Sequence, residues 1–562
     1  MTASRATRTV FDRAAAAVVV LWGWRRLAVA VLAGAASALA LAPLHLLAVL
    51  FITLPVLVWL VDGTAARGPG GQRTAWPAVR EAFFVGWSFG FGYFLAGLYW
   101  VGFALLVDAE QYAWALPLAV VALPAGLALF VALACALARL AWGGGYRRVV
   151  ALAAAWTACE WLRSEILTGF PWNLIGQTLA GSDALIQPAA YVGDLGMSAL
   201  VMLTAAAPAT LTDRSRERTF LSRTLPSWLA LLVLAGLWIA GAERARSGDE
   251  GTVPGVALRI VQPNIDQSAK WDPANRSPSI ALYLELSDSA TSPDRMGISE
   301  VTHLIWPETA LPVLLTNEPQ ILAQIAALLP DQSHLVTGAL RAEPASAGPD
   351  ARYYNSVVVI DGKGRVSSLY DKRRLVPFGE FLPFQSWLER LAITQLTGVV
   401  GGFTAGGRGH GLMPAGAVPR FAPLICYEIV FTGDLFADGA RPGWIVNVTN
   451  DAWFGNTSGP WQHLAQARLR AVEQGLPVIR AANTGISAVI DARGRIRHIL
   501  GSGRRGVIDA SLPAPIEPTF YATFGRLTVA LVLVLAALWI LLAKILEDRR
   551  GRLHSGHDSG WC

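Results

Sequence analysis

Charged residues are scarce in this chain: Asp, Glu, Lys and Arg make up 15% of its 562 residues, against about 25% in an ordinary soluble protein. With hydrophobic residues at 53%, that shortage excludes a wholly soluble globular protein and fits membrane-protein composition. Cysteine is scarce as well, limited to Cys135, Cys159, Cys426 and Cys562, with no CxxC and no Cys/His ligand spacing. This excludes a disulfide framework and a zinc site, and neither a metal nor another cofactor is implied. Cys135 and Cys159 lie in apolar segments, where a free thiol behaves as a small hydrophobe. Cys562 ends a Gly/Ser/His tail, which leaves Cys426 as the thiol with a chemical context. Acidic residues are outnumbered, 40 against 46 Lys and Arg, for a formal charge of +6. Most of the surplus Arg borders apolar runs, where it sets membrane orientation, so no nucleic-acid partner is expected.

What the chain does have is long apolar sequence. Eight candidate spans fall near 27–44, 45–61, 82–107, 114–140, 149–162, 189–211, 228–242 and 527–546. Several reach the ~20 residues needed to cross a ~30 Å hydrocarbon core. The first two are separated only by a tight turn at Ala42-Pro43-Leu44-His45, and the fifth carries Glu160. Arg25-Arg26 ahead of an apolar run also fits a twin-arginine signal, but a second span follows at once, which favours an uncleaved first span. Arg clusters precede the first span and follow the second, fourth, sixth and eighth. By the positive-inside rule both termini are cytoplasmic. Seven spans precede the polar block, which places that block outside the cytoplasm. The organisation read here is a membrane domain over 1–250, an extracytoplasmic domain over 251–515, a C-terminal span over 516–548 and a cytoplasmic tail over 549–562.

From about Gly255 to Leu512 the pattern changes to short strands alternating with amphipathic helices. Strands are predicted at 256–261, 303–306, 334–337, 356–360, 421–425, 444–448, 477–480 and 488–490, and helices at 280–289, 319–329 and 462–473. Such alternation argues for an α/β layered domain with one core. The Gly-rich stretch from Gly401 to Gly411 neither follows a clear strand nor opens a helix, so it is read as a mobile loop and not a phosphate loop.

Three residues in the block follow extended runs. Glu308 closes Leu304-Ile305-Trp306-Pro307-Glu308, Lys372 lies in Tyr370-Asp371-Lys372-Arg373, and Cys426 follows Phe421-Ala422-Pro423-Leu424-Ile425. Each has an ordinary explanation: a helix start for Pro307-Glu308, a solvated turn for Lys372, packing for Cys426. Together they are a carboxylate, an ammonium and a thiol, a complete set for acyl transfer.

The order Glu–Lys–Cys, within Trp-Pro-Glu, Asp-Lys…Leu-Val-Pro-Phe-Gly-Glu and Ile-Cys-Tyr-Glu, resembles the nitrilase (carbon–nitrogen hydrolase) superfamily. The flanking spans narrow the resemblance to the apolipoprotein N-acyltransferase family. Further motifs carry it: Val261-Gln262-Pro263-Asn264-Ile265…Lys270-Trp271-Asp272, Asn450-Asp451-Ala452-Trp453-Phe454-Gly455, Gly459-Pro460-Trp461-Gln462-His463 and Thr168-Gly169-Phe170-Pro171-Trp172. The resemblance implies a multi-span α-helical membrane domain joined to an αββα sandwich. It implies a phospholipid acyl donor, a diacylated apolipoprotein acceptor and contact with membrane lipids in the bacterial inner membrane, and a monomer is expected. Cys426 would be the nucleophile, Glu308 the base and acid, and Lys372 the oxyanion partner, aided by the backbone N–H of Tyr427. Glu380 would orient Lys372 and Glu308, Glu428 would sit beside Cys426, and Asn355 would join the same network. Trp271 resembles a tryptophan lining the lipid's path. Asp371 stands where the family pattern has Asn.

After Glu380, Phe384, Trp387, Leu388 and Leu391 recur at i, i+3, i+4 and i+7, one face of a short helix. That face either packs on the core or dips into the membrane interface to bind lipid. Two rivals to the acyltransferase are a membrane-anchored amidase using the same triad on a small amide, and a transporter with an outer ligand-binding domain. The multi-span anchor argues against the first. The few ionisable residues in the spans, mainly Glu160 and Asp194, argue against the second.

Overall fold

The structure is a computed structural model that describes residues 9–64, 75–213, 219–248, 251–292, 297–343, 352–383, 385, 390, 396, 402–407, 413–416, 418–433 and 441–555. Its contacts divide the chain into two compact units, one of Met1–Tyr99, Leu118–Ala242 and Phe524–Cys562, the other of Trp100–Pro117 and Glu243–Thr523.

The first unit is helical. Among the described residues, five helices are long and apolar enough to cross a membrane: Trp76–Leu106, Ala109–Leu140, Ala189–Thr212, Phe220–Arg246 and Leu527–Glu547. The other three predicted spans fall on Gly23–Ser37, Leu50–Asp62 and Arg147–Glu165, of 15, 13 and 19 residues. The first two are short of a full crossing, and the third carries Arg147, Arg148, Glu160, Arg163 and Glu165. Its polar residues have partners. Arg163 donates to the carbonyls of Phe170 and Trp172, both at 2.7 Å, and Glu160 Oε1 accepts from Trp156 Nε1 and the Ile175 N–H, both at 2.9 Å. Gln177 Nε2 donates to Asp194 Oδ2 at 3.0 Å. These groups hold the irregular backbone 166–175, whose polar atoms have no helix to pair with. Arg26 likewise has a structural use, donating to Glu81 at 2.8 Å and to the Gly63 carbonyl.

The second unit is a two-sheet sandwich. Its strands are β1 Thr252–Gln262, β2 His303–Trp306, β3 His334–Ala342, β4 Tyr353–Asp361, β5 Val366–Asp371, β6 Phe421–Ile425, β7 Trp444–Thr449, β8 Val478–Ala482, β9 Ser487–Ile490, β10 Ile496–Leu500 and β11 Gly506–Pro513. One sheet runs β11-β1-β2-β3-β4-β5 and the other β10-β9-β8-β7-β6. Each has a parallel trio, β1-β2-β3 and β6-β7-β8, extended by antiparallel strands. Strands β2, β6, β7 and β8 are buried at every residue, as expected where both faces of a parallel sheet are covered.

The side chains of β2 show how the layers form. Ile305 points between the sheets, into a core with Leu258, Val336, Ile425, Val446 and Ile479. Leu304 and Trp306 point the other way, into a second core with Tyr283, Ile321 and Ile325 from the helices Arg276–Ser287 and Pro319–Leu328. Trp306 also donates Nε1 to Ser287 Oγ at 2.9 Å, so its one polar atom is satisfied. Fully burying each such aliphatic side chain stabilises the fold by about 1.5–3 kcal/mol. The helix Gly459–Gln474 packs on β8 of the other sheet, completing the αββα order.

Segment Trp100–Pro117, which the sequence reading divided between two spans and their connection, belongs to this second unit. Trp100 lies edge-on to Phe454, with ring centroids 4.5 Å apart, and donates Nε1 to Gln462 Oε1 at 3.1 Å.

Candidate active site

The predicted triad gathers at one end of the sandwich. Glu308 follows β2, Lys372 follows β5 and Cys426 follows β6, and all three strands leave their sheets at the same end. Ligand and catalytic groups favour the carboxyl ends of parallel strands, because the chain turns away there and side chains converge on the crevice. Sharp turns follow β2 and β6: Thr309 has φ +45° and Cys426 itself φ +48°. Left-handed backbone is uncommon outside glycine and costs of the order of 1–3 kcal/mol. Glycine at 338 on β3 lets the Glu308 backbone approach, since a Cβ there would stand 2.5 Å from Glu308 Cα.

Lys372 Nζ lies 2.9 Å from Glu380 Oε1 and 3.5 Å from Glu308 Oε1. Asn355 Nδ2 donates to both carboxylates, at 2.8 Å to Glu308 Oε1 and 3.0 Å to Glu380 Oε1. The Asn355 carbonyl in turn accepts from the Lys372 N–H at 2.8 Å. The group is nearly dry: Glu308 is 8% exposed, Lys372 1% and Cys426 8%. Burial alone would lower the Lys372 ammonium, but Glu380 and Glu308 hold it above its ordinary range, so it stays charged. Burial pushes the Cys426 thiol up, Glu308 adds to the rise and Lys372 opposes it. A thiol raised in this way must lose its proton as it attacks, to a base beside it.

Glu428 ties the turn at Cys426 to the one at Lys372. Oε1 accepts from Tyr370 OH at 2.8 Å and from the N–H groups of Arg373 and Arg374, while Oε2 accepts from the Ile425 N–H at 2.9 Å. Tyr427 is buried edge-on to Phe431. Asp371 faces away from Lys372 and pairs with Arg341 at 2.6 Å and with Ser356 Oγ at 2.6 Å, so its charge is neutralised on the other side of the strand.

Three sequence readings come out differently or lie elsewhere. The Gly-rich stretch, read as a mobile loop, is tied down over 402–407: Phe403 donates to the Glu380 carbonyl, Thr404 to Tyr353 and Gly406 to Lys372, each at 2.8 Å. Gly406 must be glycine for this approach, because a Cβ would meet the Asp371 carbonyl. Trp271 is 47% exposed, and among the described residues no hydrogen bond or ring contact joins it to the triad network. Phe384, Trp387 and Leu388 lie outside the described residues.

Two groups at the site had no role assigned from the sequence. Beneath Cys426, His463 Nε2 lies 3.1 Å from the Cys426 carbonyl oxygen, and Asp451 bridges His463 Nδ1 at 2.9 Å and Arg480 Nη2 at 2.6 Å. Lys270, at the end of the short helix Gln267–Lys270, is 1% exposed. His463, Asp451 and Lys270 lie within motifs quoted above, yet neither spacing nor periodicity distinguishes a buried ion from a surface one.

The comparisons with known proteins cover both units. Residues 33–207 match the family model for the apolipoprotein N-acyltransferase N-terminal domain, and residues 257–519 match that for carbon-nitrogen hydrolase. The Apolipoprotein N-acyltransferase of Rhodopseudomonas palustris is 47% identical, over 96% of this chain and 98% of the relative. That of Bradyrhizobium diazoefficiens is 49% identical over 94% and 96%, and that of Brucella suis 45% identical over 96% and 99%. With Glu308, Lys372 and Cys426 buried in a nitrilase-like sandwich, and identity sustained through the helical unit as well, the chain belongs to the apolipoprotein N-acyltransferase family.

Proposed function

We propose that the chain moves an acyl chain from a phospholipid to the N-terminal amine of a diacylglyceryl-cysteine lipoprotein, in two half-reactions through a thioester on Cys426. Glu308 takes the thiol proton as Sγ attacks the donor's ester carbonyl. Lys372 and the backbone N–H of Tyr427 hold the tetrahedral oxyanion, and donors aimed at such charge are typically worth ~10²–10³ in rate. Collapse expels the lysophospholipid alkoxide, which takes the proton back from Glu308. In the second half the acceptor amine attacks the thioester, Glu308 takes a proton from it, and the departing Sγ recovers that proton. Glu380, Asn355 and Glu428 position these groups.

The observation that carries this reading is the Lys372 ammonium set between the Glu308 and Glu380 carboxylates, with Asn355 bridging both, beside a buried thiol in a strained turn. The catalytic domain stands on the outer face of the bacterial inner membrane, with both termini cytoplasmic, and the Arg pattern around the spans supports this. The test is conversion of a diacylated lipopeptide to its triacylated form by the purified chain in detergent when phospholipid is supplied. Hydrolysis of the donor with no amide formed would favour the amidase instead.

A further inference from the structure

The proton count of this reaction leaves one proton without a destination. A lipoprotein's α-amine arrives at neutral pH largely as an ammonium, since such groups have a pKa near ~8. On becoming an amide it loses two protons. One returns to Sγ of Cys426 through Glu308, and the other must be taken up before attack, because an ammonium has no lone pair.

The active-site end of the sandwich holds two buried lysines in opposite surroundings. Lys372 has two carboxylates within 3.5 Å. Lys270 is equally buried, yet among the described residues its Nζ makes no hydrogen bond and no ion pair, and the charge acting on it is the Glu308 carboxylate. An unpaired buried ammonium carries a desolvation penalty of several kcal/mol, so the neutral form gains. Burial accordingly lowers Lys270 to about 8, against the pull of Glu308. Two like groups pushed apart by their environments take opposite roles in catalysis.

We propose that Lys270 is a second base, serving the aminolysis half-reaction alone: its neutral amine takes the first proton from the incoming α-ammonium, freeing the lone pair for attack. The nitrogen then forms the bond to the thioester carbon, Glu308 takes the second proton, and Sγ leaves and recovers it. Lys270, now an ammonium, releases its proton to solvent, which accounts for the one proton the overall reaction sets free. The inference rests on the acyl-transfer reading.

The test separates the two half-reactions in the full-length protein in detergent. Loading is followed by mass spectrometry with phospholipid alone, and discharge by single turnover of loaded enzyme with a diacylated lipopeptide at pH 6 to 10. Wild-type discharge is expected to rise with pH and level off near 8. Lys270→Met and Lys270→Arg are expected to load within about threefold of wild type and to discharge roughly tenfold or more slowly at pH 7. Their discharge should approach that of wild type above pH 8, where the α-amine is already neutral. Wild-type discharge rates in Lys270→Met at pH 7 overturn the proposal. So does recovery by Lys270→Arg, which means a fixed cation, and so does equal loss in both halves, which means donor binding or structure. Failure of the wild type to load from phospholipid would instead refute the acyl-transfer reading itself.

Discussion

His463 Nε2 stands 3.1 Å from the carbonyl oxygen of Cys426, so a ring on the helix Gly459–Gln474 holds the backbone at Cys426. A carbonyl only accepts, so Nε2 carries the proton. Burial and the Arg480 guanidinium push His463 down, and Asp451 opposes them. His463 Nδ1 lies 2.9 Å from Asp451 Oδ1 and 3.1 Å from Arg480 Nη2. Burial would raise Asp451, but Arg480 and His463 hold it well below the usual carboxylate range, so the ring's anchor stays charged. The cluster opposes relaxation of the φ +48° turn at Cys426.

Removing that donor strands a buried carbonyl, at about 1–3 kcal/mol. His463→Ala is therefore expected to slow thioester loading about tenfold to hundredfold, with little change in KM for phospholipid, and His463→Gln to recover part of the rate. Steady-state kinetics check this; a rise in KM at unchanged kcat would mean that His463 acts on substrate binding.

The raised Cys426 thiol predicts a pH profile. With Cys135, Cys159 and Cys562 replaced, iodoacetamide should alkylate Cys426 at pH 8 more slowly than free cysteine. The rate should climb through pH 9 and 10 without levelling, because less thiolate is present at every pH below the raised pKa. Lys372 opposes the rise, so Lys372→Met should slow alkylation further. A plateau below pH 8 would show a resting thiolate and remove the need for Glu308 as base.

Much of this architecture was legible in the sequence, for physical reasons that also mark where reading stopped. Strands β2 and β6 were bounded correctly because both are continuous apolar runs buried on two faces. Strands β5 and β10 were missed because they are largely exposed, with polar residues that read as loop. Strand β11 alternates too loosely to stand out. Glu308, Lys372 and Cys426 stood out because together they matched a known order. The Asp451–His463–Arg480 cluster escaped because its members come from three elements brought together only by folding. Lys270 looked like any surface lysine until its burial was seen, and Gly402–Gly407 looked mobile until its backbone partners were.

Sidedness gives a separate prediction. Lys363 lies exposed in the turn between β4 and β5, and Thr219 is exposed just before the helix Phe220–Arg246. In intact spheroplasts, a thiol reagent that cannot cross the membrane should label Lys363→Cys and spare Thr219→Cys until the membrane is permeabilised. The reverse pattern would put the catalytic domain on the cytoplasmic side, away from exported lipoproteins.

Intact-protein mass spectrometry after incubation with phospholipid alone shows whether the acyl chain passes through Cys426. One added acyl chain is expected, lost on hydroxylamine treatment, absent in Cys426→Ala and in Glu308→Gln, and transferred to a diacylated lipopeptide when that is added. An acylated species that survives in Cys426→Ala, or lipopeptide acylation by that variant, would contradict it.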